Sequence, residues 1–198
     1  MKHLIVVAHP APESFTMALA RAYAAELETL GHEVRMHDLY RLDFDPVLSE
    51  QELASVAAGR PTHSDVAWAQ EDVRVAHALC VVYPLWWLAM PAMMKGYIDR
   101  VFARGFAYEL SNGAVQGLLS GKKAVLITLS GASLSMLEQG GGWNALQLLQ
   151  DTHVFRSTGY DLLEHLHFDE IAPDLPQTVA QKDLGRVRDC VRRLFPSP

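Results

Sequence analysis

The chain has 198 residues, 49% of them hydrophobic, a formal net charge of −6 and two cysteines. That length suits one domain with a sizeable core. An acidic balance without a dense Lys/Arg cluster argues against a nucleic-acid binder, and no apolar run approaches the ~18 residues of a membrane span or forms a signal peptide. Cys80 and Cys190 make no disulfide framework, so a reduced, cytoplasmic setting is expected.

From the N-terminus, HLIVVA (3–8) is an unbroken apolar run, the pattern of a strand covered on both faces. Residues 14–31 read as an Ala- and Leu-rich helix, with Ser14 as N-cap and Gly31 as C-cap. EVRMHDL (33–39) alternates like a strand nearer a sheet edge. Residues 40–63 are mixed, with a short helix expected over 49–58. Residues 65–78 read as a helix, LCVVYP (79–84) as a buried strand, and PAMMKGYIDRVFA (91–103) as a helix with Pro91 in its first turn. Residues 105–121 read as a loop, with Asn112-Gly113 marking a turn. KKAVLITLS (122–130) is a further buried strand. A helix is expected from Trp143 to Phe155, an edge strand over 161–168 and a last helix over 176–195.

Apolar strands alternating with helices predict an α/β domain over residues 1–198. Its five-stranded, doubly wound parallel sheet has the flavodoxin-like order 2-1-3-4-5, with helices on both faces. Ligands of such sheets bind beyond the carboxyl ends of the strands, where the winding reverses. That selects the loops at 9–16, 84–91 and 129–143.

The first of these, AHPAPESFT, is neither a P-loop nor a G-x-G-x-x-G fingerprint. It places the hydroxyls of Ser14 and Thr16 at a helix mouth, where free N–H groups suit a phosphate; a plain N-cap would account for Ser14 alone. The second loop carries Trp86 and Trp87 side by side. Neighbours leave an extended chain on opposite sides, so one core face cannot take both. The third opens with small residues, Ser130, Gly131, Ala132 and Ser133, which let a ligand approach the backbone. A phosphate site, a flat wall and a backbone hydrogen-bonding edge together describe a flavin site.

In these stretches the chain resembles the flavodoxin-like NAD(P)H:quinone oxidoreductases, the DT-diaphorase-like flavoproteins, to which the ancillary reductases of glutathione-gated potassium efflux systems are related. AHPAPESFT, YPLWWLAMPAMMKGYIDRVFARGFAYE, GKKAVLITLSGAS and the closing helix carry the likeness. The resemblance implies bound FAD or FMN, NAD(P)H as hydride donor and a quinone-like acceptor. His9, Ser14, Phe15 and Thr16 would hold the phosphate end. Pro84, Leu85, Trp86 and Trp87 would run along the ring, and Ser130, Gly131 and Ala132 would meet its polar edge. Tyr108 would stand over the catalytic pocket, contributed across the interface of a homodimer. No direct membrane insertion is implied. Because donor and acceptor would share one ring face, ping-pong kinetics are expected.

Four positions depart from the family pattern. Thr16 stands where asparagine is common. Leu137, with Gly142 or Trp143, stands where the animal enzymes place a tyrosine and a histidine implicated in proton delivery, and Leu110 replaces a second pocket tyrosine. Two other roles fit the same fold: a regulatory reductase subunit of a potassium efflux system, and a flavodoxin-type electron carrier. His165, His167 and Asp169 also share one face of a strand, a spacing open to a metal but more often that of solvated polar residues; no metal site is expected.

Overall fold

The computed structural model describes residues 1–58 and 63–197, so the mixed segment 40–63 is described except for 59–62. In chain order the elements are β1 (Lys2–Val7), α1 (Phe15–Thr29), β2 (Glu33–Asp38), α2 (Glu50–Ala57), α3 (Ser64–Val75), β3 (Ala78–Pro84) and α4 (Ala92–Val101). Then follow β4 (Tyr108–Ser111), β5 (Ala114–Gly117), β6 (Lys123–Leu129), α5 (Leu134–Gln139) and α6 (Gly142–Leu146), which runs on as a π-helical stretch over Gln147–Arg156. β7 (Asp161–Phe168) and α7 (Gln177–Leu194) complete the chain. The sheet order is β2-β1-β3-β6-β7, every pair parallel. Counting sheet strands alone, that is the predicted 2-1-3-4-5.

The unbroken apolar runs follow from burial on both sides. Leu4 and Val6 of β1, Leu79 and Val81 of β3 and Leu126 of β6 pack with residues of α3, α4 and α6. Their neighbours Ile5, Val7, Cys80, Val82, Val125 and Ile127 pack with α1 and α7. Successive side chains alternate between the two layers, and each fully buried Val, Leu or Ile contributes about 1.5–3 kcal/mol. No helix among the described residues is long and apolar enough to cross a membrane.

Two predicted stretches come out differently. Residues 105–121, read as a loop, contain the antiparallel hairpin β4–β5. Asn112 (φ 53°) and Gly113 (φ 77°) form its tight turn, as Asn-Gly does in two-residue hairpins. The strands are four residues long, lie outside the main sheet and leave Leu110 and Val115 exposed, so their alternation carries no burial signal. The helix predicted over 143–155 begins earlier, at Leu134, where Ser133 Oγ accepts from Met136 N at 3.3 Å. It breaks at Gly140-Gly141 and resumes at Gly142.

β7 is the edge strand predicted, with one irregularity. Ala124 pairs with Leu162 but Val125 pairs with Glu164, so Leu163 is an inserted bulge residue. With a side-chain period of two, that insertion turns His165 and His167 to the face they share with Leu126 and Thr128.

The DRVF stretch of α4 is structural. Buried Arg100 donates through Nε to Glu52 of α2 (2.9 Å) and through Nη1 to Asp65 of α3 (2.7 Å) and to the Asp45 carbonyl (2.6 Å). One turn earlier, α4 passes directly against residue 46: a Cβ on Gly96 would lie 2.2 Å from Pro46 O.

Candidate functional site

The loops after β1, β3 and β6 meet in a cleft of about 150 Å³. From the first loop, His9, Ser14, Phe15 and Thr16 line it. Ser14 caps α1, its Oγ accepting from Met17 N at 3.3 Å. The N–H groups of Phe15 and Thr16, at the first two helical positions, have no intrahelical acceptor and remain for a ligand. His9 Nδ1 lies 3.1 Å from Ala11 N and 3.2 Å from Ala11 O, so the ring is held by its own loop and Nε2 is left over. Burial, aided by the Arg41 guanidinium, lowers the His9 pKa against the opposing backbone bond.

Arg41 is a residue that motif reading does not single out. It donates to Pro10 O at 2.7 Å and to His9 O, and its Nε is tied to Asp38 at 3.0 Å. One side chain beyond β2 thus clamps the loop after β1. The available signal is the Asp38–Arg41 spacing at the end of a strand.

From the second loop, Pro84, Leu85 and Trp86 line the cleft, and Leu85 N extends the sheet by donating to Leu129 O at 2.6 Å. Trp86 and Ala89 then exchange backbone hydrogen bonds of 3.2 and 3.1 Å, closing a reverse turn. Its central residues, Trp87 (φ 54°) and Leu88 (φ 58°), both sit in the left-handed region that Asn-Gly would normally occupy. The turn separates the two tryptophans. Trp86 is 42% exposed, with its ring edge-on to His9 at 6.1 Å. Trp87 is 100% exposed and lies outside the cleft. Leu88 seats on the third loop, where a Cβ on Gly142 would lie 2.9 Å from Leu88 Cδ1.

From that third loop, Ser130 and Gly131 line the cleft, joined by Leu129 and by Ile171 from beyond β7. Ser130 Oγ donates to Ala132 O at 2.7 Å, and Ile171 N donates to Ser130 O at 2.9 Å, which fixes the loop. Ala132 is not itself a wall of the cleft. Among the described residues, the N–H groups of Gly131 and Ala132 donate to no protein acceptor. His9, Ser14, Phe15, Thr16, Pro84, Leu85, Trp86, Ser130 and Gly131 are therefore brought together, while Trp87, Ala132 and Tyr108 are not.

Tyr108 lines a different and larger hollow, of about 640 Å³, beneath the β4–β5 hairpin. Leu110 and Val115 of the hairpin, Leu53 of α2 and Arg100 of α4 share it. His165 and His167 are held within the chain by Asp151, Thr128 and Ser130, and Asp169 Oδ2 accepts from Leu134 N at 2.7 Å. Among the described residues no group of His, Cys, Asp and Glu is arranged to hold a metal ion.

Residues 1–189 match the family described by its flavodoxin-like fold. A Haemophilus influenzae protein named as an uncharacterized NAD(P)H oxidoreductase is 33% identical over 195 residues, covering 94% of this chain and 96% of that one. Human ribosyldihydronicotinamide dehydrogenase (quinone) is 32% identical over 156 residues, covering 71% of this chain and 68% of the human protein. The NAD(P)H:quinone oxidoreductase from Methanothermobacter marburgensis is similar in structure, with a TM-score of 0.89 at 28% identity over 98% of each chain. The chain belongs to the flavodoxin-like NAD(P)H:quinone oxidoreductase family.

Proposed function

We propose that this chain is a flavin-dependent NAD(P)H oxidoreductase that passes two electrons to quinones by a ping-pong route. The observation that carries the reading is the donor set at the cleft: a helix mouth with unpaired N–H groups, a tryptophan wall and the unpaired N–H of Gly131, with that of Ala132 next to it in the chain. Those chemistries fit a flavin in turn. The N–H groups of Phe15 and Thr16, with the hydroxyls of Ser14 and Thr16, suit a phosphate. Trp86 offers a flat apolar surface. The N–H groups of Gly131 and Ala132 are fixed dipoles that favour negative charge at a ring edge.

A bound flavin supplies hydride acceptance and donation at one ring atom, so the protein need not supply a nucleophile or a metal. The residues of the chain bind, orient and exclude water. Donor and acceptor must take turns on the face that the cleft leaves open. A second copy of the chain, packed through the apolar surface of the β4–β5 hairpin, would bring its Tyr108 over that face. Exposed Leu110, Val115 and Leu53 around the Tyr108 hollow support that pairing. FMN and FAD share the parts these residues would meet, and NADH and NADPH share the hydride.

Purified protein should carry a yellow flavin spectrum that NADH or NADPH bleaches and a quinone restores, with parallel double-reciprocal lines. A colourless protein that takes up neither FMN nor FAD would overturn the reading. Intersecting lines would remove its shared face. Tyr108→Phe should slow reoxidation by quinone more than reduction by NAD(P)H in stopped-flow traces.

A further inference from the structure

A line of buried polar side chains runs from the π-helical stretch after α6 to the wall of the cleft. Asp151 Oδ1 lies 2.8 Å from His165 Nδ1, and His165 Nε2 lies 2.8 Å from Thr128 Oγ1. Thr128 Oγ1 lies 2.9 Å from His167 Nδ1, and His167 Nε2 lies 3.0 Å from Ser130 Oγ, which lines the cleft. Trp143 covers both imidazoles, with ring centroids 5.0 and 4.8 Å away. The Leu163 bulge is what brings the two histidines to this face.

Counting protons fixes the state of the line. Ser130 commits its hydroxyl proton to Ala132 O, so its oxygen accepts from His167. The four contacts from Asp151 to Ser130 need four protons. Thr128 and two neutral histidines supply three. All four contacts are hydrogen bonds only when the line holds one further proton. The three supplied protons fill the contacts from His165 Nε2 to Ser130, so the fourth lies between Asp151 Oδ1 and His165 Nδ1, 2.8 Å apart. Burial, the charge of His165 and the Arg186 guanidinium of α7 hold the His167 pKa down at about 4, with Asp169 pulling the other way.

We propose that this line is an internal charge shuttle for the cleft, with Asp151, His165, Thr128 and His167 as positioning residues. Negative charge arising on a ligand at residues 130–132 draws the Nε2 proton of His165 onto Thr128 Oγ1 while the hydroxyl proton of Thr128 passes to His167 Nδ1. One N–H is lost and one gained, no proton leaves the protein, and the positive charge moves from the Asp151 end to the residue bonded to Ser130. The groups facing His167 are His165, Asp169, Arg186 and, through His165, Asp151. The shuttle rests on reading the cleft as a flavin site.

The test is histidine-ring 15N NMR of the full chain loaded with FMN, and in parallel with FAD, before and after dithionite reduction at neutral pH. His165→Gln and His167→Gln assign the signals. On reduction, the His167 Nδ1 signal should move from the acceptor to the N–H range while His165 Nε2 moves the opposite way. Thr128→Val should abolish the His167 response, and Thr128→Ser should keep it. Ring signals indifferent to reduction of a bound flavin, or an undiminished response in Thr128→Val, would overturn the shuttle. If Thr128→Val does not fold, the oxidised and reduced spectra of the unaltered chain still decide. A chain that retains no flavin would fail earlier, at the cofactor reading itself, so the two failures are distinguishable.

Discussion

The two hollows of this molecule differ in almost every respect. The one beneath the hairpin is about 640 Å³ and largely apolar, with a closed ion-pair cluster in its wall. The one at the strand ends is about 150 Å³, and its polar groups are mostly backbone N–H at a helix mouth and a tight loop. In the function proposed above the smaller hollow takes the cofactor, so size is not the guide there. An open cleft need enclose only part of such a cofactor, whose exposed face is the reacting one. The large hollow is the surface through which the proposed pairing of two copies would run.

Four measurements press on that contrast. The largest effect belongs to the hairpin side. Arg100→Ala strands Glu52, which is 1% exposed and already has one oxygen without a partner. Breaking such a buried pair costs about 3–5 kcal/mol. Denaturant melts should show that loss while the flavin affinity of the folded fraction holds. An equal loss of affinity would merge the two regions.

Acid should act next, and on the cleft side. Burial holds the His167 pKa at about 4, below the ordinary 6.5. The folded chain therefore binds fewer protons than the unfolded chain between those values. Stability is full above pH 6.5 and falls as pH drops towards 4, by up to about 3 kcal/mol. His3, held at about 3 by burial and by His32, adds to the loss at the other end of the sheet. Around the large hollow the sign of the effect is the same, and its pH window lies lower. Burial alone would raise the pKa of Asp65, but its bonds to Arg100 lower it, so that cluster stays charged to lower pH. Melts across pH 4–7 should be shallower in His167→Gln; identical curves would locate the acid sensitivity elsewhere.

A smaller change is expected for Ser14→Ala combined with Thr16→Ala. Losing two bonds to a charged phosphate should weaken flavin binding by roughly 1–3 kcal/mol. Losing the Ser14 cap should lower stability by about 1 kcal/mol. Equilibrium dialysis separates the two, and unchanged affinity in a folded double variant would put the phosphate elsewhere. Smallest of all is Trp87→Gly. The left-handed φ of Trp87 costs of order 1 kcal/mol, which glycine relieves and its own chain entropy partly returns. Stability should shift by less than about 1 kcal/mol with flavin affinity intact, whereas Trp86→Ala should lower that affinity.

The contrast also explains what the sequence could announce. The cleft was legible because an open parallel sheet puts ligands at strand ends, and polar, small and flat residues fall in the loops after β1, β3 and β6. The hairpin was not, since Leu110 and Val115 gain no burial within the chain. Which tryptophan faces the cleft depends on left-handed φ at Trp87 and Leu88, and no local preference of Trp-Leu predicts that. The joining of Asp151, His165, Thr128 and His167 depends on the bulge at Leu163, a one-residue break in a period-two pattern. Ile171 reaches the site from a loop that neither motif nor periodicity marks, and Arg41 shows only in its spacing from Asp38.

The sheet order itself governs how the cleft comes into being. β1 lies between β2 and β3 and pairs Lys2 with Glu33 and His3 with Ala78, the latter being the widest sequence separation in the sheet. β6 adds beside β3, Ala78 with Lys123, and β7 beside β6, Lys123 with Asp161, so every pairing is of the long-range kind that slows folding. In synthesis the residues of the helix mouth and Trp86 are made before residues 130–132, which complete the cleft. A molecule touching both 14–16 and 130–132 would favour, by mass action, the folded sheet that brings them together. During synthesis, cofactor supply and completion of the fold would then be coupled steps.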